Sequence, residues 1–166
     1  MNIKFSLILY ILTMSVLSQS TISKKISFSG IGIHTGKKVK VNILPSSPNS
    51  GIIFKRIDLN KNNIVIPNFE NVSEATLCTT ISNEHGVKVS TLEHLMAAFL
   101  GLGIDNAIVE LDSQELPIMD GSAKEFVKII KETGIKNSEV PIKLIKINNR
   151  VELIEGDKYI SIDKSN

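Results

Sequence analysis

Ser90-Thr91-Leu92-Glu93-His94-Leu95-Met96-Ala97-Ala98-Phe99 is the stretch on which the reading of this chain turns. A β-like run, Val87-Lys88-Val89, leads straight into it. Ser90 reads as a helix N-cap, because its hydroxyl can accept an orphan backbone N–H of the first turn. Glu93, three residues on, completes a capping-box pattern. Leu92, Leu95, Met96 and Phe99 are spaced to bury one face of the helix. An acid and an imidazole, Glu93 and His94, therefore fall side by side where a strand hands over to a helix. Such junctions suit chemistry, since the backbone is rigid and the helix end is open. The pair also has a plain structural reading, in which Glu93 only caps and His94 only packs.

Outward from this stretch the chain alternates strand and helix signals. Downstream, Gly101-Leu102-Gly103 supplies a glycine where a left-handed cap ends a helix. Asn106 to Asp112 is apolar enough for a central strand. Glu115 to Ser122 is a loop into a second helix. There Ala123, Phe126, Val127 and Ile130 mark a buried face, and Gly134 ends the element. Asp105 and Asp120 read as turn and capping residues. Lys136 to Pro141 looks like a linker. Ile142 to Ile147, Val151 to Ile154 and Tyr159 to Ile162 look like strands, with a turn at Glu155-Gly156-Asp157.

Upstream, residues 22 to 44 read as a β-hairpin around a glycine-rich bend, Ser29 to Gly36. Val39, Val41 and Ile43 alternate with Lys38, Lys40 and Asn42, the pattern of a half-buried strand. The bend is no phosphate loop: Gly36-Lys37 is followed by Lys38 rather than Ser or Thr, and the third glycine of a dinucleotide fingerprint is replaced by Thr35. Ile52 to Ile57, Ile64 to Ile66 and Ala75 to Ser82 are strand candidates. Asn83-Glu84-His85-Gly86 is a hairpin turn with a solvated His85 at its tip.

The chain has 166 residues, 42% hydrophobic and 22% charged, enough for one core and part of another. A net charge of +2 with dispersed basic residues gives no nucleic-acid footprint. A single cysteine, Cys78, excludes an internal disulfide and a cysteine-rich zinc site. Residues 1–20 stand apart. Lys4 precedes an apolar run from Phe5 to Leu17, too short to span a bilayer comfortably and similar to the core of a secretory signal, with Ser18-Gln19-Ser20 at suitable cleavage spacing. Translation beginning at Met14 is the competing reading. On either account residues 1–20 are expected to lie outside the fold.

Five segments, in order, resemble the bacterial UDP-3-O-acyl-N-acetylglucosamine deacetylases, zinc enzymes of lipid A biosynthesis. They are Gly30-Ile-Gly-Ile-His34-Thr-Gly-Lys-Lys38, Ala75-Thr-Leu-Cys78-Thr-Thr80, Ser90-Thr-Leu-Glu93-His94-Leu95, Gly101-Leu-Gly-Ile-Asp105-Asn106 and Pro117-Ile-Met-Asp120-Gly-Ser122-Ala123. The resemblance implies an α+β fold, a β-sheet layered on two helices, the first half of a duplicated two-domain structure. Residues 21–137 would be the first domain, and residues 138–166 a linker with the opening strands of a truncated second.

The resemblance also implies a mechanism. Zinc polarises the acetamide carbonyl and activates a water, a carboxylate takes the water's proton, and an imidazole protonates the leaving amine. On this chain His94 matches a Zn2+ ligand and Glu93 the general base, while Leu77, Cys78 and His34 match pocket residues. The family's other ligands, a His and an Asp four residues apart, and its acidic His lie in the second domain. No His follows His94 here. Catalytic zinc takes three protein ligands, so the chain alone is expected to be nearly inactive. A separate chain supplying the second domain is one implied partner, beside the UDP-acyl-amino-sugar substrate; a decayed remnant or a non-catalytic α+β binding module is the alternative. A UDP-sugar substrate implies a cytoplasmic location, and a genuine apolar prefix would imply targeting instead.

Overall fold

The computed structural model describes residues 17–164. The apolar run from Phe5 and the possible start at Met14 lie outside these residues, apart from Leu17.

Alternating apolar residues build the principal sheet. Strands β2 (Ile26–Ile31), β3 (Lys38–Pro45), β4 (Ile52–Arg56), β5 (Ile64–Val65) and β9 (Ala107–Leu111) form five strands in the order β2-β3-β9-β4-β5. β9 runs antiparallel to β3 and parallel to β4, so the most apolar strand is flanked on both sides. Val39, Val41 and Ile43 are buried as their alternation requires, while Lys38 and Lys40 are exposed. Asn42 departs from the pattern. It is buried, its side-chain oxygen accepting from the Ser27 hydroxyl at 2.8 Å.

Two helices pack on the inner face of this sheet. Helix α1 spans Glu93–Leu102 and helix α2 spans Lys124–Thr133. Leu95 and Phe99 of the first, Leu92 just before it, and Phe126 and Ile130 of the second are buried in one cluster with Val41, Phe54, Val109 and Leu111. Phe28 on β2 meets Phe126 edge to face, ring centroids 5.7 Å apart. Gly103, at φ 68°, closes α1 with its N–H on the Phe99 and Leu100 carbonyls. The fold is α+β, a sheet layered on two helices.

A second sheet of three short strands, β6 (Val72–Glu74), β7 (Thr80–Ser82) and β8 (Lys88–Ser90), delivers the chain to α1. Residues 75–79, expected as strand, bend instead between β6 and β7. Only Thr80–Ser82 of the expected strand Ala75–Ser82 pairs, and it pairs on both edges.

The ends of the domain depart further from expectation. β1 (Ser18–Ile22) pairs antiparallel with β10 (Ile135–Pro141), which occupies the expected linker. Ser18, Gln19 and Ser20, set apart with the prefix in the sequence reading, are therefore strand residues. Gln19 and Ser20 are buried, and the Ser20 carbonyl accepts the N–H groups of Asp105 and Asn106 at 3.1 and 3.0 Å. A cleavage at these residues would sever a paired strand. The expected strand Ile142–Ile147 is irregular, with Leu144 and Ile145 exposed. β11 (Val151–Glu155) and β12 (Lys158–Ile162) form a separate two-stranded hairpin. No helix among the described residues is long and apolar enough to cross a membrane.

Candidate active site

The junction before α1 is built differently from a capping box. Ser90 is the last residue of β8, and its N–H donates to the Gln114 carbonyl at 2.8 Å. Thr91 then adopts φ 57°, a left-handed conformation that costs a β-branched residue on the order of 1–3 kcal/mol. This turn separates Ser90 from the helix, whose N-cap is Leu92 with no side-chain cap. The Ser90 hydroxyl accordingly faces the Gln114 carbonyl at 3.3 Å, not the helix end.

Freed from capping Ser90, the Glu93 carboxylate reaches sideways. Its Oε2 accepts the Thr79 N–H at 3.0 Å, and Thr91 N–H returns a bond to the Thr79 carbonyl at 3.0 Å. The other oxygen, Oε1, stands 4.0 Å from His94 Nε2, with both side chains partly exposed. The acid and the imidazole are thus in contact range at a rigid strand-to-helix corner, tied to the bend that carries Cys78.

Beside that corner lies a recess of about 270 Å³. His34, Leu77 and Cys78 line it together with Thr80, Lys88 and Ser90. The three pocket residues expected from sequence therefore come together. Glu93 and His94 are not among its lining residues; Glu93 is tied to the Thr79 N–H, between the lining residues Cys78 and Thr80. Leu77 is largely exposed, and the Cys78 thiol lies 3.7 Å from the Thr80 hydroxyl. His85 stays at the exposed hairpin tip, beside Glu84. Asp105 and Asp120 bind backbone and turn groups: Asp105 accepts the Ser20 N–H at 2.7 Å, and Asp120 accepts the Ser122 N–H and hydroxyl. A larger hollow, about 690 Å³, lies away from this corner, between β1, β10 and the turn after β3.

Sequence reasoning missed Glu115. Its carboxylate is 1% exposed and accepts the His34 N–H at 2.9 Å, the Thr35 N–H at 2.8 Å and the Thr91 hydroxyl at 3.2 Å. Burial pushes the carboxyl up, but the donors of His34, Thr35 and Thr91 outweigh it and hold Glu115 below its ordinary value. Nothing local marks this residue, because its partners come from 24 to 81 positions away.

The sequence profile of the UDP-3-O-acyl N-acetylglycosamine deacetylase family, LpxC, matches residues 19–166. The chain belongs to this deacetylase family. It is 43% identical over 144 residues to the UDP-3-O-acyl-N-acetylglucosamine deacetylase of Shewanella sp. strain ANA-3, and 44% identical over 144 residues to that of Shewanella baltica strain OS155. Each match covers 87% of this chain and 47% of the relative, so the chain spans about half the length of the curated relatives it matches.

The family's zinc can be tested against the donors present. Among the described residues no group of three His, Cys, Asp or Glu side chains could hold a metal ion. A catalytic zinc needs three protein ligands, and one imidazole with an adjacent carboxylate does not make that set. The described residues of this deacetylase-family chain do not fit a complete zinc site by themselves.

Proposed function

We propose that this chain carries one half of a zinc-dependent deacetylase site acting on UDP-3-O-(3-hydroxyacyl)-N-acetylglucosamine, releasing acetate at an early step of lipid A biosynthesis. Glu93 is the general base, His94 supplies one zinc ligand, and Leu77, Cys78 and His34 form the pocket wall. The remaining zinc ligands come from a second domain, of which the strands after β10, within residues 142–166, are the opening, either on the same polypeptide or on a separate chain. The substrate's nucleotide-sugar chemistry goes with a cytoplasmic location.

The observation that carries this reading is the corner at Thr91, where Glu93 and His94 meet beside the recess that gathers His34, Leu77 and Cys78. The Thr79 N–H on Oε2 supports the role of Glu93. It fixes the carboxylate with Oε1 toward His94, leaving that oxygen oriented for a water's proton. The second reading is a non-catalytic remnant or α+β binding module that keeps the fold without turnover.

Zinc stoichiometry and acetate release from the UDP-acyl-acetylglucosamine substrate separate the two. The chain alone is expected to bind zinc weakly and turn over negligibly; with a separately expressed second half of a relative, one zinc and measurable deacetylation are expected, abolished by Glu93→Gln. Inactivity of the reassembled pair, with both halves folded, would leave the binding-module reading standing.

A further inference from the structure

One short segment ties the two parts of the candidate site together. Gln114 to Ile118 runs between the end of β8 and the glycine bend after β2. On one side Ser90 N–H donates to the Gln114 carbonyl at 2.8 Å and Leu116 N–H donates to the Ser90 carbonyl at 3.0 Å. On the other, Ile118 N–H donates to the Ile31 carbonyl at 3.0 Å. Glu115 sits in the middle with its carboxylate turned inward.

We propose that Glu115 is a positioning residue, a buried carboxylate clamp that locks the His34 turn to the strained Thr91 corner so that the pocket wall and the Glu93–His94 pair hold one relative geometry. The functional side of this inference rests on the deacetylase reading; the clamp itself does not. Glu115 touches no reacting group. It acts through His34, Thr35 and Thr91.

Three features fit a clamp. The first is its donor set. The carboxylate receives two backbone N–H groups and a hydroxyl, one oxygen shared between His34 and Thr91 and the other given to Thr35. An amide in place of the carboxylate would turn an NH2 toward a backbone N–H, leaving a buried donor unpaired. The second is Gly32. A Cβ built there would lie 2.3 Å from Glu115 Oε2 and 2.6 Å from its Cδ, so the bend is shaped around this side chain. The turn closes above it through Gly32 N–H on the Lys37 carbonyl and Gly36 N–H on the Gly32 carbonyl, both 2.9 Å. The third is Thr91. A β-branched residue at φ 57° persists only where surrounding contacts over-determine it, and the Glu115 bond to its hydroxyl is one of these.

The test is nuclear magnetic resonance on the 15N-labelled 166-residue chain, with amide exchange and the His34 imidazole signals as readouts. Glu115→Gln is expected to speed exchange at His34 and Thr35 about tenfold or more. It should also shift the His34 ring signals and, with them, the Thr79, Thr91 and Glu93 amides. Thr91→Val, which removes one hydroxyl, should shift the His34 and Thr35 amides through Glu115, and Thr91→Ser should restore them. Asp112→Asn is the control. Asp112 also clamps a backbone N–H, that of Lys40 at 2.8 Å, and its loss should leave the His34 turn unmoved.

Changes confined to residues 32–36 in Glu115→Gln, or a Thr91→Val spectrum with His34 and Thr35 unshifted, would overturn the proposal. The Thr91 pair keeps it testable if Glu115→Gln does not fold. None of these readouts uses substrate or metal. Coupling without deacetylation in the reassembled pair therefore supports the clamp while removing the deacetylase reading, and uncoupled parts refute the clamp whatever the activity.

Discussion

Two antiparallel hairpins in this chain carry similar local signals and have opposite fates. In β2–β3, Ile26 faces Ile43 and Phe28 faces Val41 across the ladder, and Val39, Val41 and Ile43 are buried. In β11–β12, Val151 faces Ile162 and Leu153 faces Ile160, an equally apolar face, yet Leu153 is 66% and Ile160 63% exposed. Alternation specifies a strand and a face. It does not specify what covers the face. The first hairpin is covered by α1 and α2, whose apolar stripes come from later in the chain. Among the described residues the second is packed only on itself, with Arg150 paired to Glu152, set over the Tyr159 ring and bonded to the Tyr159 hydroxyl. A lone two-stranded ribbon of this kind is marginal in water.

The largest test of this contrast is Phe54→Ala. Phe54 on β4 is fully buried between β9 and β5. Removing its ring should cost about 3–5 kcal/mol, a large share of the stability of a domain this size. Thermal or denaturant unfolding checks it. A loss below about 1 kcal/mol would mean that the sheet-on-helix core is not what holds the chain together.

The same contrast shows which parts of the fold were legible. β3, β9, α1 and α2 were readable because burial of one face imposes a period, 2 or 3.6, on the residues themselves. β1 and β10 were not. Ser18–Ile22 pairs with β10 through backbone and buries the polar Gln19 and Ser20, while Lys136 and Asn137 on β10 are exposed, so no apolar period marks either strand. Ile142 to Ile147 failed in the other direction, with strand-like alternation and no partner ladder. At the candidate site, the adjacency of Glu93 and His94 and the grouping of His34, Leu77 and Cys78 were expected from motifs, whereas the left-handed Thr91 and the carboxylate of Glu115 were not. A β-branched residue carries no sign of positive φ, and a clamp formed with residues 80 and 81 positions away has no local pattern. The capping box was a true local match overruled by that corner.

A middle-sized effect is acid sensitivity, confined to the packed part. The Arg56 guanidinium, bonded to both Asp58 oxygens at 2.8 and 2.6 Å, holds that carboxyl below its ordinary value, and the donors around Glu115 do the same there. A carboxyl lowered in the folded state stabilises above its unfolded value near 4, and that contribution is lost as pH falls through the lower folded value. Stability should therefore drop below about pH 4. Glu115→Gln should be less stable at neutral pH and show a shallower loss on acidification, measured as melting temperature against pH. An unchanged acid slope in both Glu115→Gln and Asp58→Asn would place the acid-sensitive groups elsewhere.

The smallest expected effect is the sharpest check on the comparison. Leu153→Thr with Ile160→Thr removes two apolar side chains from the face of β11–β12 but puts β-branched threonines, which favour a strand, at both positions. In β2–β3 an equivalent pair of changes would expose a core. Here the side chains are already solvated, so little transfer free energy is at stake, and the stability of the chain should move by no more than about 0.5 kcal/mol. Hydrogen exchange on the unaltered chain should agree, with amides of residues 151–162 exchanging far faster than those of β3 and β9, because opening the hairpin disturbs nothing beneath it. A loss of several kcal/mol in the double variant, or slow exchange along β11 and β12, would mean that this face is covered in solution, and the difference between the two hairpins would then be one of partner rather than of packing.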